Sequence, residues 1–225
     1  MFPSQREGNM PLTGKVEGSM RQIITIGREF GSGGREFGKR LAEELGIAYY
    51  DEEIVSAIAK HSSLAEDYVN QILEQRIRAY YPITVGHTLS IHHGDAVNEV
   101  TRSIYSAQTT IIQEMARKSD CVIVGRCADH ILKQVKPLRF FLYADIAARA
   151  ARCRANGEDL ENESDKGLER RIRAVDRARS QYYRFYTGQA WGDRLNYDLC
   201  INATGLDLRA AAKAAAVLVK HHEYK

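Results

Sequence analysis

At 225 residues, with 32 Lys and Arg against 29 Asp and Glu, the chain is long enough for one sizeable core and carries a net charge of only +3. That charge is too modest to mark a nucleic-acid binder, and no apolar run approaches the ~20 residues of a membrane-spanning helix. Four cysteines (Cys121, Cys127, Cys153 and Cys200) lack C-x-x-C spacing, and there is no secretory apolar segment; together these point to free thiols in a reduced, cytoplasmic setting.

Residues 1–20 hold two prolines and three glycines without apolar periodicity, and are expected to form a mobile tail outside the core. Residues 22–30, with Ile23-Ile24-Thr25-Ile26, read as a short buried strand. Gly31, Ser32, Gly33 and Gly34 then form a turn into a helix over 34–46, where Phe37, Leu41 and Leu45 recur every four residues. Such a loop aims unpaired N–H groups of a helix N-terminus at one point, which suits phosphate; a tight strand-to-helix turn without a ligand is the alternative. The loop departs from the pattern G-x-x-x-x-G-K-[ST]. With Gly33 at the second glycine, Gly34 stands at the lysine position, Arg35 at the hydroxyl position and Arg28 at the first glycine. Arg35, Lys39 and Arg28 are the candidate replacements for the lysine's charge.

Ile47 to Tyr50 read as a second strand. Asp51 follows, either capping the next helix or lying at the ligand-binding edge of a sheet. Helices are expected over 52–60 and about 64–80, ending before Pro82. Residues 82–97 read as a polar loop; His87, His92 and His93 there lack the companion ligands of a metal site, even with Asp95 nearby. A helix from about 98 to 118 leads to a buried strand, Cys121 to Val124, with Gly125 and Arg126 directly after it. A further strand over Leu138–Tyr143 precedes a helix over 145–155 carrying Arg149, Arg152 and Arg154. The acidic residues 156–166 suggest an exposed connection, followed by a long helix over 167–186 with Asp176, Arg177 and Arg179. The last strand spans 197–202. A final Ala-rich helix over 207–221 is expected to bury Leu206, Ala210, Ala214, Val217 and Leu218.

Alternating strands and helices predict an α/β fold with a parallel sheet covered on both faces. One domain, 21–225, is expected, with 61–118 as a helical elaboration over the site. Arginine's planar fork suits phosphate, and phosphoryl transfer needs positioned cations more than covalent machinery. Surface pairing accounts for single arginines; the whole set beside a glycine loop favours a phosphate site. Tyr182, Tyr183 and Tyr186 keep an RNA-binding reading open at lower weight.

The run from Ile26 to Glu36, with Tyr49-Tyr50-Asp51, Val124-Gly125-Arg126 and Asp176-Arg177-Ala178-Arg179, resembles the cytidylate kinase-like family of P-loop nucleoside monophosphate kinases. The resemblance implies a three-layer P-loop NTPase fold and transfer of the γ-phosphoryl of ATP, with Mg2+, to CMP, dCMP or a related small nucleotide acceptor. It implies donor-phosphate binding by Gly31, Ser32, Gly33, Gly34, Arg35 and Glu36. Asp51, Arg126, Asp176 and Arg179 would meet the acceptor, and Arg35, Arg149, Arg152 and Arg179 would serve catalysis. The connection 156–166 would belong to a lid. Classical members keep the lysine and the hydroxyl that this chain lacks in register, and a serine and a further arginine after the matched aspartate are not evident here. A nucleotide-binding regulatory protein without turnover is therefore the alternative. No protein metal ligand is assigned, and neither a membrane nor a nucleic acid is an expected partner.

Overall fold

The computed structural model describes residues 21–66, 69, 93–156 and 163–222. The tail 1–20, most of the helix expected over 64–80, the loop with His87 and His92, and the centre of the acidic connection lie outside these residues.

Five strands alternate with helices: β1 (Ile23–Arg28), α1 (Gly34–Leu45), β2 (Ala48–Tyr50), α2 (Glu52–Ser62), α3 (His93–Lys118), β3 (Cys121–Val124), α4 (Ala128–Ile131), β4 (Leu138–Tyr143), α5 (Ile146–Ala155), α6 (Asp165–Thr187), β5 (Leu199–Asn202) and α7 (Leu208–Lys220). The sheet is parallel throughout, in the order β2-β3-β1-β4-β5. The expected α/β architecture is the one observed. β1 is the central strand, paired with β3 from Ile23 opposite Cys121 to Ile26 opposite Val124, and with β4 as far as Arg28 opposite Leu142. The chain leaves β1 toward one side of the sheet and crosses to the other side after β3. The C-terminal end of β1 therefore lies at the switch point where open α/β sheets form a crevice.

Both faces of the sheet are buried, which explains why its strands are apolar runs. The period of two along a strand sends Ile23, Cys121 and Ile123 to one face, where they meet Ile54 and Ile58 of α2 and Ile104 and Ile112 of α3. Ile24, Ile26, Val122, Val124 and Phe140 face the other side, against Phe37 and Leu41 of α1 and Ala212 and Val219 of α7. Phe37 meets Phe140 edge-on at 6.1 Å.

Three expectations need correcting. α7 buries Leu208, Ala212, Ala215, Ala216 and Val219, whereas Leu206, Val217 and Leu218 are exposed. Asp207 sets this phase by accepting from the N–H groups of Arg209 and Ala210, so the helix starts one residue after it. In so alanine-rich a helix, apolar contrast alone does not choose the buried face. α3 begins at His93, five residues before the expected start near 98. The short helix α4 and the 3-10 turn at Lys133–Val135 have no counterpart among the elements expected from the sequence.

Candidate active site

The loop after β1 turns with Gly31 at φ 75° and Gly33 at φ 86°. A Cβ on Gly31 would lie 2.8 Å from Cys153 Sγ and 2.9 Å from the Arg149 carbonyl oxygen, so α5 packs directly against this backbone. Ser32 is fully buried, and its hydroxyl donates to the Glu29 carbonyl at 2.9 Å. The loop's only hydroxyl thus holds the turn. No side chain caps α1 at Gly33, and the first backbone bond of the helix is from Phe37 N–H to the Gly33 carbonyl. The first residues of α1, Gly34, Arg35 and Glu36, line a cavity of about 190 Å³ together with Gly31, Gly33, Arg152 and Arg179, among others. An uncapped helix N-terminus opening on such a cavity is an anion cradle.

α5 and α6 fix the loop from outside. Arg149, only 5% exposed, uses all three guanidinium nitrogens: Nε donates to the Phe30 carbonyl at 2.8 Å, one terminal nitrogen pairs with Glu29 at 2.8 Å, and the other pairs with Asp176. Asp176 also accepts from the Phe30 N–H at 2.8 Å, and Glu29 from the Ala144 N–H at 3.1 Å. In this network one guanidinium is shared between two carboxylates, so the charge of Arg149 is fully engaged within it. Arg152 donates to the Gly31 carbonyl at 2.9 Å and the Ala203 carbonyl at 3.2 Å. Arg179 reaches the Arg28 carbonyl at 3.4 Å, with its guanidinium 5.5 Å above the Phe30 ring.

Asp51 is buried and does not cap α2. Its carboxylate instead accepts Arg35 Nε at 2.7 Å and lies 3.6 Å from Arg28. Arg35 also reaches Glu52 at 3.2 Å. Glu36 pairs along α1 with Arg40 at 2.7 Å. Arg28 is itself buried, at 8% exposure, and its pKa is lowered to about 9, first by burial and then by the nearby charge of Arg179. It stays protonated at neutral pH.

A second cavity, of about 50 Å³, opens beside the first, between the ends of β1 and β3 and helix α6. Arg28 and Arg179 line both. Arg126 and Asp129 belong to the second cavity, with an aromatic wall of Tyr182, Tyr183, Trp191 and Tyr197. Arg126 and Cys127 hold left-handed torsions, φ 59° and 53°, unusual for residues with a Cβ. Gln108 of α3, fully buried, fixes this turn by donating to the Arg126 carbonyl at 2.8 Å and accepting from Tyr182 at 3.2 Å. Arg126 Nε is buried without a hydrogen-bond partner among the described residues. Burial pushes the Asp129 carboxyl up, against the opposing hydrogen bond from Tyr183 at 2.5 Å.

The structure therefore places Gly31, Gly33 to Glu36, Arg126, Arg152 and Arg179 on the walls of two adjoining cavities. Ser32 and Asp51 line neither, Ser32 holding the turn and Asp51 holding Arg35 and Arg28, while Arg149 and Asp176 brace the loop from behind. Gln108 and Asp129 were not singled out from sequence, and Tyr182 and Tyr183 were marked there only for an RNA-binding reading, not as a wall of this cavity. Asp129 lies three residues past Arg126 and was open to notice on that ground. Gln108 is one polar residue of a long helix, and nothing local marks it. Among the described residues, no group of three or more His, Cys, Asp or Glu side chains is gathered for a metal, and no helix is long and apolar enough to cross a membrane.

Comparison with solved structures finds an uncharacterized protein from Eubacterium ventriosum at 25% identity and TM-score 0.64, covering 90% of this chain and all of that one. Shikimate kinase from Acinetobacter baumannii, in complex with shikimate, matches at 17% identity and TM-score 0.51, covering 92% and 97%. Shikimate kinase from Bacteroides thetaiotaomicron matches at 14% and 0.54, covering 88% and 98%. At such identities the shikimate kinases show the fold alone, that of P-loop kinases. Comparison with curated protein sequences gave no match. The model of the cytidylate kinase-like family matches residues 23–205, most of the described fold and both cavities, and the chain belongs to that family.

Proposed function

We propose that the protein is a phosphotransferase that moves the γ-phosphoryl of ATP to CMP, dCMP or a related small acceptor. The observation that carries this reading is the pair of adjoining cavities with Arg28 and Arg179 common to both. One cavity has an uncapped helix N-terminus suited to the donor triphosphate; the other has Arg126 and an aromatic wall suited to an anionic, ring-bearing acceptor. A group moving between them passes shared cations.

In this reading the backbone N–H groups of Gly31 and of residues 33–35 hold the donor phosphates, while the Ser32 N–H is turned to the Glu29 carbonyl. Arg152 and Arg179 balance charge on the migrating group, and Arg126 orients the acceptor. Arg149 and Asp176 keep the loop in shape. Asp51 holds Arg35 and Arg28 in place. No general base is assigned, because a monophosphate acceptor already presents a charged oxygen and positioning dominates. The described residues suit a magnesium ion carried in on the triphosphate better than one held in a protein cage; it would neutralise phosphate charge there.

The test is diphosphate formation from ATP and magnesium with CMP, dCMP, UMP, AMP, GMP and shikimate as acceptors and a control without acceptor. Turnover confined to CMP and dCMP is the expected result. ATP binding without product from any acceptor would instead favour a regulatory nucleotide binder, the reading that Gly34 in place of the lysine supports.

A further inference from the structure

We propose that Arg28, the last residue of β1, is the catalytic cation that takes the place of the P-loop lysine and contacts the transferring phosphoryl group. The inference rests on the reading of the loop as a triphosphate site.

Its side chain does not leave the strand toward solvent. It crosses the first residue of α1 and continues to the turn after β3. A Cβ on Gly34 would lie 2.4 Å from Arg28 Cβ and 2.8 Å from its Cγ. A Cβ on Gly125 would lie 1.6 Å from a guanidinium nitrogen of Arg28. Two glycines thus clear the path of this one side chain. Gly34 stands where the standard motif has lysine, so a lysine there and Arg28 in this pose exclude each other sterically. The missing lysine and the arginine six residues earlier are two sides of one exchange: a cation rooted in the strand replaces one rooted in the helix.

The surroundings agree with a cation poised for an anion. Of the neighbouring charges that act most strongly on Arg28, those of Arg179, Arg126 and Arg35 are positive, and that of Asp51 is the one negative. Asp51 is 3.6 Å away and is held more closely by Arg35, at 2.7 Å. It orients Arg28 without neutralising the cluster. A buried surplus of positive charge is costly until an anion compensates it, and the anion's affinity is raised accordingly. Arg35, the other candidate, has a half-exposed side chain held over the start of α2 by Asp51 and Glu52. Arg28 lines both cavities; Arg35 lines the larger one alone.

The experiment compares the full chain with Arg28→Ala, Arg28→Lys, Arg35→Ala, Arg28→Gly, Gly34→Lys and the double exchange Arg28→Gly with Gly34→Lys. Each is first checked for a cooperative melt, then titrated with tripolyphosphate and ATP-magnesium, then assayed for turnover. Arg28→Ala should lower kcat by ~10²–10³, the usual loss for one preorganised electrostatic donor, and Arg35→Ala by less. Gly34→Lys alone should be inactive. The double exchange, which restores the first glycine and the lysine of the standard motif though not its hydroxyl, should regain at least about tenfold over Arg28→Gly, a coupling of ~1.4 kcal/mol. A larger loss in Arg35→Ala, or a folded double exchange no better than Arg28→Gly, overturns the proposal even if other variants misfold. If the full chain binds ATP but turns over no acceptor, the kinase reading falls. Arg28 is then judged by tripolyphosphate affinity, at least about tenfold weaker in Arg28→Ala or Arg28→Lys if the proposal holds and unchanged in both if it does not. If the full chain binds neither ligand, both readings fall.

Discussion

Arg149 engages Glu29, Asp176 and the Phe30 carbonyl at once, so Arg149→Met would leave two carboxylates without their cation. Because Glu29 and Asp176 keep some solvent contact, a loss of roughly 3 kcal/mol, the low end for breaking a buried pair, is expected in urea denaturation. A loss below about 1 kcal/mol would show that the network is not what fixes the loop. Asp129 makes a pH-dependent prediction. Its folded pKa is raised by burial above the ordinary 3.8. The stability it contributes is therefore full below 3.8 and is lost as pH rises through the folded value. Asp129→Asn should gain on the unsubstituted protein as pH increases across that window. A stability difference that stays flat from about pH 4 to 8 would contradict this.

At the scale of elements, α3 acts on the turn after β3 and lends no described residue to the larger cavity. Gln108 is its link, holding the strained Gly125-Arg126 turn by one hydrogen bond and Tyr182 by another. Gln108→Leu leaves a carbonyl and a hydroxyl unsatisfied, at a cost of ~1–3 kcal/mol in stability. It should also raise the acceptor KM by about tenfold, equivalent to ~1.4 kcal/mol, with the ATP KM unchanged. Steady-state kinetics with each substrate varied in turn separates these effects. An equal rise in both KM values would mean that α3 supports the whole site and not the acceptor turn. α3 thus has a physical role at this turn, since its Gln108 holds a left-handed backbone conformation that residues with a Cβ resist.

For the molecule as a whole, the two cavities meet at the end of the central strand, where the sheet changes direction of winding. Ligand binding there should stabilise the entire fold, because β1, α1, α5 and α6 all contribute to the loop's support. At about 100 times its Kd, ATP-magnesium should contribute ~2.7 kcal/mol by mass action. For a domain of this size that corresponds to a rise in Tm on the order of 5–10 °C, readable by differential scanning fluorimetry. An unchanged Tm at saturating ATP would argue against a preformed triphosphate site.

The strand Cys121–Val124, the strand Leu138–Tyr143 and the glycine turn into α1 were legible in the sequence, because each is a short-range pattern: an apolar run, or glycines between two periodic segments. The same local signals placed Arg126 and Asp51 at strand ends. The buried face of α7 was not legible, because alanine offers little apolar contrast and the phase depends on the cap at Asp207. Nor was the division of labour among the arginines. Arg149 and Arg152 lie three apart on one helix face, yet one is enclosed by carboxylates and the other grips carbonyl oxygens at the cavity. Sequence by itself determined the parallel α/β fold and which segments meet at its ligand-binding edge. Tertiary structure alone decided which guanidinium is enclosed by carboxylates and which lines a cavity. That depends on carboxylates brought in from distant parts of the chain, such as Asp51 beside Arg28 and Asp176 beside Phe30, 146 residues apart in the second case.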